Sequence, residues 1–95
     1  MGTKLIWDET KRTANLAKHG FDFADAGEVL DSCYRLDIPV MRQGEAQIAS
    51  LSYALGFLAV LTVVHTEREG AARIIRFRRA SRKERENDHV WIENQ

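Results

Sequence analysis

The longest apolar stretch of the chain runs from Ala54 to Val64, and it limits the choice of fold more than any other segment. It contains Gly56 and Thr62 and is too short to span a bilayer, which takes about 20 residues of helix. The part from Phe57 to Val64 is a continuous apolar run, typical of a central strand that is covered on both faces. The sequence therefore predicts that this segment is a core strand near the centre of a sheet.

Helix signals are found near both ends of the chain. Asp8 is placed to cap a helix that continues to about His19, and Gly20 then provides its stop. A second helix is expected from Asp22, as its cap, to about Leu30. The S-x-x-E pattern of Ser81–Glu84 predicts a capping box, in which each of these two side chains accepts a hydrogen bond from the other residue's backbone N–H. It marks the start of a C-terminal helix.

Strand patterns occupy the rest of the chain. The expected strands are Lys4–Trp7, Cys33–Val40 with an interruption at Pro39, Ala46–Tyr53, Phe57–Val64 and the segment that begins at Ala71. Turns are expected at 42–44 and 67–70, and Ile48, Leu51 and Tyr53 are candidates for burial. The sequence predicts a single α+β domain over residues 1–95. An N-terminal strand and two helices pack on an antiparallel sheet of three to four strands, and a C-terminal helix follows.

Basic residues are concentrated between Thr66 and Arg85, where eight of the fourteen lysines and arginines stand against three acidic residues. Strict alternation divides the strand into two faces, one with Arg73, Ile75 and Phe77 and the other with Ile74, Arg76 and Arg78. Arg76 and Arg78 would lie roughly 7 Å apart, close to the separation of successive phosphates along a nucleic-acid strand. The spacing favours an anionic partner over a merely solvated surface.

Composition excludes several classes of protein. The net charge is zero, which argues against a protein that coats nucleic acid indiscriminately. Cys33 is the one cysteine, so no internal disulfide can form and a reducing cytosol is the expected compartment. The N-terminus lacks the apolar run of a signal peptide. His19, Cys33, His65 and His89 lack metal-ligand spacing, and no nucleotide-binding glycine loop or nucleophile elbow is present, so no metal or cofactor is expected.

The chemistry that remains consists of arginines that hold phosphate and a few groups that move protons, namely His19, Tyr53, His65, Glu67 and Glu84. This inventory suits metal-free RNA cleavage, in which a base takes the ribose 2′-OH proton and arginine stabilises the phosphorane. It suits simple RNA binding equally well. Arg78 is the first candidate for phosphate, and His65, at the end of a core strand, is expected to reach the same groove. Asn15 and His19, one helical turn apart, are expected to face solvent or to pair with each other.

A longer motif is formed by Trp7-Asp8-Glu9, Lys11, Asn15, Lys18-His19-Gly20, Phe23, Arg73-Ile74-Ile75, Arg78, Ala80 and Glu84-Arg85. With these residues the chain resembles the BrnT family of type II toxins over nearly its whole length. The resemblance implies a RelE-type ribonuclease fold and RNA cleavage that halts translation. It also implies a BrnA-like antitoxin, a heterotetramer built on an antitoxin dimer, and contact with operator DNA through the antitoxin only.

The residues and the resemblance together give an expected site. The expected catalytic residues are Arg73, Arg76, Arg78, His65 and Glu84, and the expected RNA-binding residues are Lys11, Lys18, Arg79, Arg82, Lys83 and Arg85. The chain departs from the family pattern at Arg76-Phe77, where Ser-Ala is common, at Gln47, where a basic residue is common, and at His65, where an aromatic is expected. Two other interpretations stay open: a non-catalytic nucleic-acid-binding or corepressor subunit, and a basic surface that mainly docks an acidic antitoxin segment.

Overall fold

Within residues 2–54 and 56–95, the part of the chain that this computed structural model describes, a five-stranded mixed sheet forms the centre of the fold. Its strands are β1 (Leu5–Ile6), β2 (Leu36–Arg42), β3 (Glu45–Ala54), β4 (Ala59–Arg68) and β5 (Ala71–Arg79), in the spatial order β1-β5-β4-β3-β2. β2 to β5 are antiparallel neighbours, whereas β1 runs parallel to β5. The α+β class is confirmed. The N-terminal strand, however, joins the sheet as a fifth, parallel strand.

The helices are α1 (Glu9–His19), α2 (Gly27–Leu30) and α3 (Arg82–Glu93), with a 3₁₀ turn at Phe23–Asp25. The Asp8 carboxylate caps α1, and Gly20 ends it in the left-handed conformation at φ 78°, as predicted. The predicted second helix is instead divided between the 3₁₀ turn, which Asp22 caps, and the single turn of α2. The capping box at the start of α3 is confirmed. No helix in the described residues is long and apolar enough to cross a membrane.

The strand bounds differ from the predicted ones in ways that follow from position in the sheet. β2 continues through Pro39 because it is an edge strand, where a missing N–H is tolerated. Tyr53, expected to be buried, is 48% exposed. The two hairpin turns are tight: Gln43-Gly44 and Glu69-Gly70 all have positive φ, which matches the twist of the strands they join.

The sheet has two differently covered faces. We call one the helix face: the 3₁₀ turn and α2 pack on it, and the main core lies there, including Phe23, Val29, Leu61, Val63 and Phe77. We call the other the groove face. It carries a smaller apolar cluster of Ala49, Leu51 and Val64, flanked by Leu36, Ile38, Val40 and Ile75. β4 is therefore covered on both faces, as its apolar run predicts.

A β-bulge in β5 interrupts the alternation of its side chains. His65 of β4 pairs with Ile74, and the preceding Val64 pairs with Arg76. Ile75 is thus an additional residue in β5 that has no partner in β4. From this point on, every side chain of β5 points to the face opposite to the one that strict alternation predicts.

The bulge decides where the arginines lie. Ile74 and Phe77 both enter the core on the helix face, although strict alternation predicts that they lie on opposite faces. Arg73, Arg76 and Arg78 all lie on the groove face, in register with Thr66, Val64 and Thr62. The predicted division, with Arg73 apart from the other two arginines, is wrong because it did not include the bulge.

Asn15 fixes α1 along the open edge of β5. Among the described residues, β1 pairs with β5 only at Ala72 and Arg73, so in that part of the chain no strand lies beside the β5 backbone beyond the bulge. There the Nδ2 group of Asn15 donates to the carbonyl oxygen of Phe77 at 2.8 Å, and its Oδ1 accepts from the Phe77 N–H at 3.1 Å. The expected pairing of Asn15 with His19 is therefore wrong. Asn15 is buried and continues the hydrogen bonding of the sheet.

Candidate functional site

Three adjoining cavities on the groove face share the side chain of Arg76, and we call them together the basic groove. The groove lies between α1, β5, the β2–β3 hairpin and the start of α3. Six cations and two carboxylates line it: Lys11, Lys18, Arg42, Arg73, Arg76 and Arg78, with Glu45 and Glu84. Because the net charge of the whole chain is zero, the groove is a local concentration of positive potential.

Arg76 occupies the middle of the groove and is partly buried. Burial lowers the pKa of its guanidinium, and the charges of Arg42 and Arg78 lower it further. Within the described residues, no carboxylate lies within ion-pair distance of Arg76. A cation that is partly desolvated and surrounded by like charges is stabilised when an anion enters the groove.

Arg78 is held by Glu84 through two parallel hydrogen bonds. Its Nη1 donates to Oε1 at 2.7 Å and its Nη2 donates to Oε2 at 3.2 Å. Glu84 also accepts from the Ser81 N–H at 2.8 Å and from the Thr62 hydroxyl at 3.2 Å. Burial alone would raise the pKa of Glu84, but these donors and the charge of Arg78 outweigh it and lower the pKa to about 2. Glu84 is therefore ionised at neutral pH.

α1 contributes a second wall to the groove. Lys11, Lys18 and His19 line the cavity between this helix and Arg76, together with Asn15. Burial lowers the pKa of the His19 imidazole, and the nearby charges of Lys18, Arg78 and Arg76 lower it further. The predicted RNA-binding residues Lys11 and Lys18 thus share one cleft with the predicted catalytic arginines.

His65 does not lie in this cleft, contrary to the expectation that it reaches the same groove. It is 1% exposed and points to the helix face, since it pairs with Ile74 across the bulge. The Ser50 hydroxyl donates its single proton to Asp37 at 2.6 Å, so the His65 Nε2–H donates to Ser50 Oγ at 2.8 Å. The sheet itself therefore separates His65 from the groove arginines.

The other predicted RNA-binding residues are exposed but do not line the groove. Arg79 pairs in register with Leu61 and so points toward the helix face. On α3, Arg82 forms an exposed ion pair with Glu86 at 3.5 Å, and Lys83 is exposed to solvent. Arg85 donates to the carbonyl oxygen of Ala80 at 3.3 Å. These four cations border the end of β5 and the start of α3.

Arg42, Gln47 and His19 line the groove but are not among the expected catalytic or RNA-binding residues. Arg42 and Gln47 come from the β2–β3 hairpin, which brings them beside Arg76, and nothing in their local sequence indicates this neighbourhood. His19 had a signal, since helical spacing places it on one face with Lys11 and Asn15. In the described residues, no cluster of three or more His, Cys, Asp or Glu side chains is arranged to hold a metal ion.

The fold and the groove define a small α+β protein with a cationic cleft that suits an extended polyanion. Residues 7–84 match a family model described as "Ribonuclease toxin, BrnT, of type II toxin-antitoxin system". The chain therefore belongs to the BrnT family of ribonuclease toxins, which confirms the resemblance in its sequence, and membership implies an antitoxin partner. Among curated proteins, no significant match to the chain was found.

Proposed function

We propose that this protein is a metal-independent endoribonuclease that cleaves RNA in the basic groove and thereby inhibits translation. The observation that carries the proposal is the assembly of Arg73, Arg76 and Arg78 on one face by the bulge in β5. Membership of the BrnT family supports the ribonuclease class. The neutral net charge of the chain favours local binding in this groove over binding along the whole surface.

Five of the six groove cations have a stated role in the proposed reaction. Arg73 and Arg76, with Lys11 and Lys18, hold phosphates of the RNA strand. Arg78 stabilises the charge that develops on the phosphorane when the ribose 2′-oxygen attacks phosphorus. Attack by the 2′-oxygen forms a 2′,3′-cyclic phosphate and releases a 5′-hydroxyl, so cleavage needs no metal-bound water. Arg79, Arg82, Lys83 and Arg85 are then secondary contacts beyond the groove.

Glu84 acts in this scheme by positioning Arg78. An acid with a pKa of about 2 carries no proton to donate at neutral pH, so Glu84 does not protonate the leaving oxygen. Its carboxylate instead orients the guanidinium of Arg78 through the two parallel hydrogen bonds.

We further propose a BrnA-like antitoxin that inhibits by covering the basic groove with an acidic segment. Six lining cations suit such a segment, and covering them would exclude RNA directly. The complex is expected to be a cytoplasmic heterotetramer built on an antitoxin dimer. Operator DNA is then contacted through the antitoxin alone.

The test is incubation of a bulk RNA with purified protein in EDTA, beside Arg76→Gln, Arg78→Gln and Arg79→Gln variants. We expect cleavage by the wild type and by Arg79→Gln, whose cation lies outside the groove. Arg76→Gln and Arg78→Gln should each lose at least about tenfold in rate. Equal rates in all four proteins would contradict a site in the groove.

RNA that stays intact with every protein would contradict cleavage of free RNA. If the wild type then binds RNA in a salt-dependent manner, the non-catalytic subunit becomes the better interpretation. Addition of ribosomes to the same reaction distinguishes that outcome from an enzyme that cuts only translated RNA. A growth assay with and without a co-expressed antitoxin tests translation inhibition in the cell.

A further inference from the structure

The His19 imidazole lies at the end of α1 that faces the groove arginines. Asn15, one turn earlier, fixes the helix to the backbone of Phe77, and residues four apart on a helix share a face. His19 therefore lies beside the part of β5 that continues into Arg78. It lines one cavity of about 270 Å³ with Lys11, Lys18 and Arg76, among other residues.

All three histidines of the chain lie in the described residues, and their environments differ. His65 is buried on the opposite face of the sheet and bonded to Ser50. His89 is exposed on α3, where its Nε2 pairs with Glu93 at 2.8 Å. Within the described residues, His19 is the one histidine that lines the groove, and no hydrogen bond of the structure holds its ring. A free, partly buried imidazole next to unpaired arginine is available to a substrate.

The charges that surround His19 favour its neutral form. Lys11 and Lys18 face it from α1, and Arg76 and Arg78 face it from β5. Among the described residues that line this cavity, none carries a carboxylate. Burial and the charges of Lys18, Arg78 and Arg76 lower the pKa of His19 below the usual 6.5, so the ring is neutral at pH 7 and can accept a proton.

We propose that His19 is the general base of the RNA cleavage reaction, which takes the proton of the ribose 2′-OH in the basic groove. This inference rests on the proposed ribonuclease function. In the step, the 2′-oxygen forms a bond to phosphorus as its proton moves to the imidazole, and the bond from phosphorus to the 5′-oxygen breaks. The 5′-oxygen takes a proton from water, and the imidazolium later returns its proton to solvent, so the cycle is balanced.

The same cations that keep the free imidazole neutral are the ones that hold the substrate. When RNA phosphates enter between Arg76 and Lys18, they offset the positive charges around His19. The imidazolium formed by proton transfer is then less unfavourable than it would be in the empty groove. Binding and proton acceptance are coupled through one set of charges.

The test compares wild type, His19→Gln and the matched control His89→Gln on a short RNA that contains one cleavable linkage. Glutamine replaces a neutral ring with a neutral side chain, so groove charge is kept at pH 7. We expect kcat/KM to fall by about 10²-fold or more in His19→Gln and to stay within about twofold in His89→Gln. The dissociation constant of a non-cleavable 2′-deoxy analogue should stay within about threefold in both variants.

The pH profile separates a base from a structural residue. The wild type should lose kcat/KM on an acid limb that falls below pH 6.5, because protonation of His19 removes the base. That limb should be absent from the residual activity of His19→Gln. In a His19→Ala variant, added imidazole should restore part of the rate, which it would not do if His19 merely supported the fold. The unfolding temperatures of the variants establish that they are folded.

The outcomes also distinguish this inference from the proposed function. Cleavage by the wild type with an unchanged rate and acid limb in His19→Gln would overturn the role of His19 and leave the ribonuclease intact. A folded His19→Ala variant that imidazole fails to rescue would overturn it as well. No cleavage by the wild type under any condition would overturn both.

Discussion

The side-chain amide of Asn15 forms two hydrogen bonds with the backbone of Phe77, 62 residues further along the chain. The amide group presents one donor and one acceptor in the way that a neighbouring strand would, and Nδ2 also donates to the Phe21 carbonyl at 3.0 Å. This contact joins α1 to the strand that carries the groove arginines. The geometry of the basic groove therefore depends on a buried residue that is not itself charged.

We expect Asn15→Leu to destabilise the fold by about 3 kcal/mol, because the Phe77 N–H and C=O would be buried without partners. Asn87→Ala, at an exposed position of α3, is the matched control and should change stability by less than about 0.5 kcal/mol. Urea unfolding of both variants measures the difference. Equal stability of Asn15→Leu and wild type would mean that water replaces the amide and that α1 is held by other contacts.

The sequence predicts much of the fold because its signals are local. The caps at Asp8 and Ser81, the stop at Gly20 and the apolar run of β4 each act within a few residues, and the structure contains all of them. The bulge at Ile75 has no such signal, because it depends on the pairing of β5 with β4. A one-residue shift moves every later side chain to the other face.

The sequence also predicts part of the candidate site, namely the part that depends on residues close together in the chain. Arg73, Arg76 and Arg78 belong to a basic cluster that stands out in the sequence, but their shared position on the groove face follows from the bulge. Arg42 enters the groove from a hairpin more than 30 residues earlier in the chain, which no local pattern indicates. His65 has the residue type and the neighbourhood of a catalytic group in the sequence, yet the direction of its side chain excludes it from the groove.

Acid should weaken the fold through the pair of Arg78 and Glu84. The pKa of Glu84 is lowered to about 2 in the folded state from 4.5, so its stabilisation is present above pH 4.5 and is lost as the pH falls toward 2. Allowing for screening at this partly solvated site, we expect the loss to be about 1–2 kcal/mol. Glu84→Gln keeps an acceptor for the capping box and should remove this acid limb from urea titrations. Glu86→Gln, in an exposed pair, should leave it unchanged.

Glu84→Gln should also strengthen RNA binding. In the free protein Glu84 neutralises Arg78, so a phosphate must compete with the carboxylate for the guanidinium. In Glu84→Gln that competition is removed, and we expect the dissociation constant of a 2′-deoxy RNA analogue to fall about threefold to tenfold. The negative slope of log affinity against log salt should become steeper by about one, as expected for one additional phosphate contact. Weaker binding by this variant would mean that the orientation of Arg78 by Glu84 contributes more to RNA affinity than the competition of its carboxylate removes.

Arg76→Gln should have opposite effects on stability and on binding. Removing a guanidinium that burial, Arg42 and Arg78 all disfavour should leave the fold as stable as wild type or more stable. RNA affinity should fall, and the slope of log affinity against log salt should become less steep by about one. Arg82→Gln, at the exposed start of α3, controls for the loss of one positive charge. A loss of stability in Arg76→Gln would indicate that packing of the aliphatic part of Arg76 stabilises the fold by more than repulsion of its charge destabilises it.

His65 should control pH-dependent stability and leave cleavage unchanged. Burial and the charge of Arg35 lower its pKa below 6.5, against the opposing charges of Asp37 and Glu67. Below pH 6.5 the unfolded chain therefore binds a proton that the folded chain does not, and the free energy of unfolding falls as the pH falls. We expect His65→Gln to reduce this slope below pH 6.5, and to lower stability at pH 8 by about 1–2 kcal/mol through the lost bond to Ser50. His89→Gln, at an exposed position, should retain the wild-type slope.

Because the sheet separates His65 from Arg76 and Arg78, RNA cleavage per folded molecule should be unchanged in His65→Gln. A folded His65→Gln variant without cleavage would instead place proton transfer on the helix face and contradict the assignment of the groove.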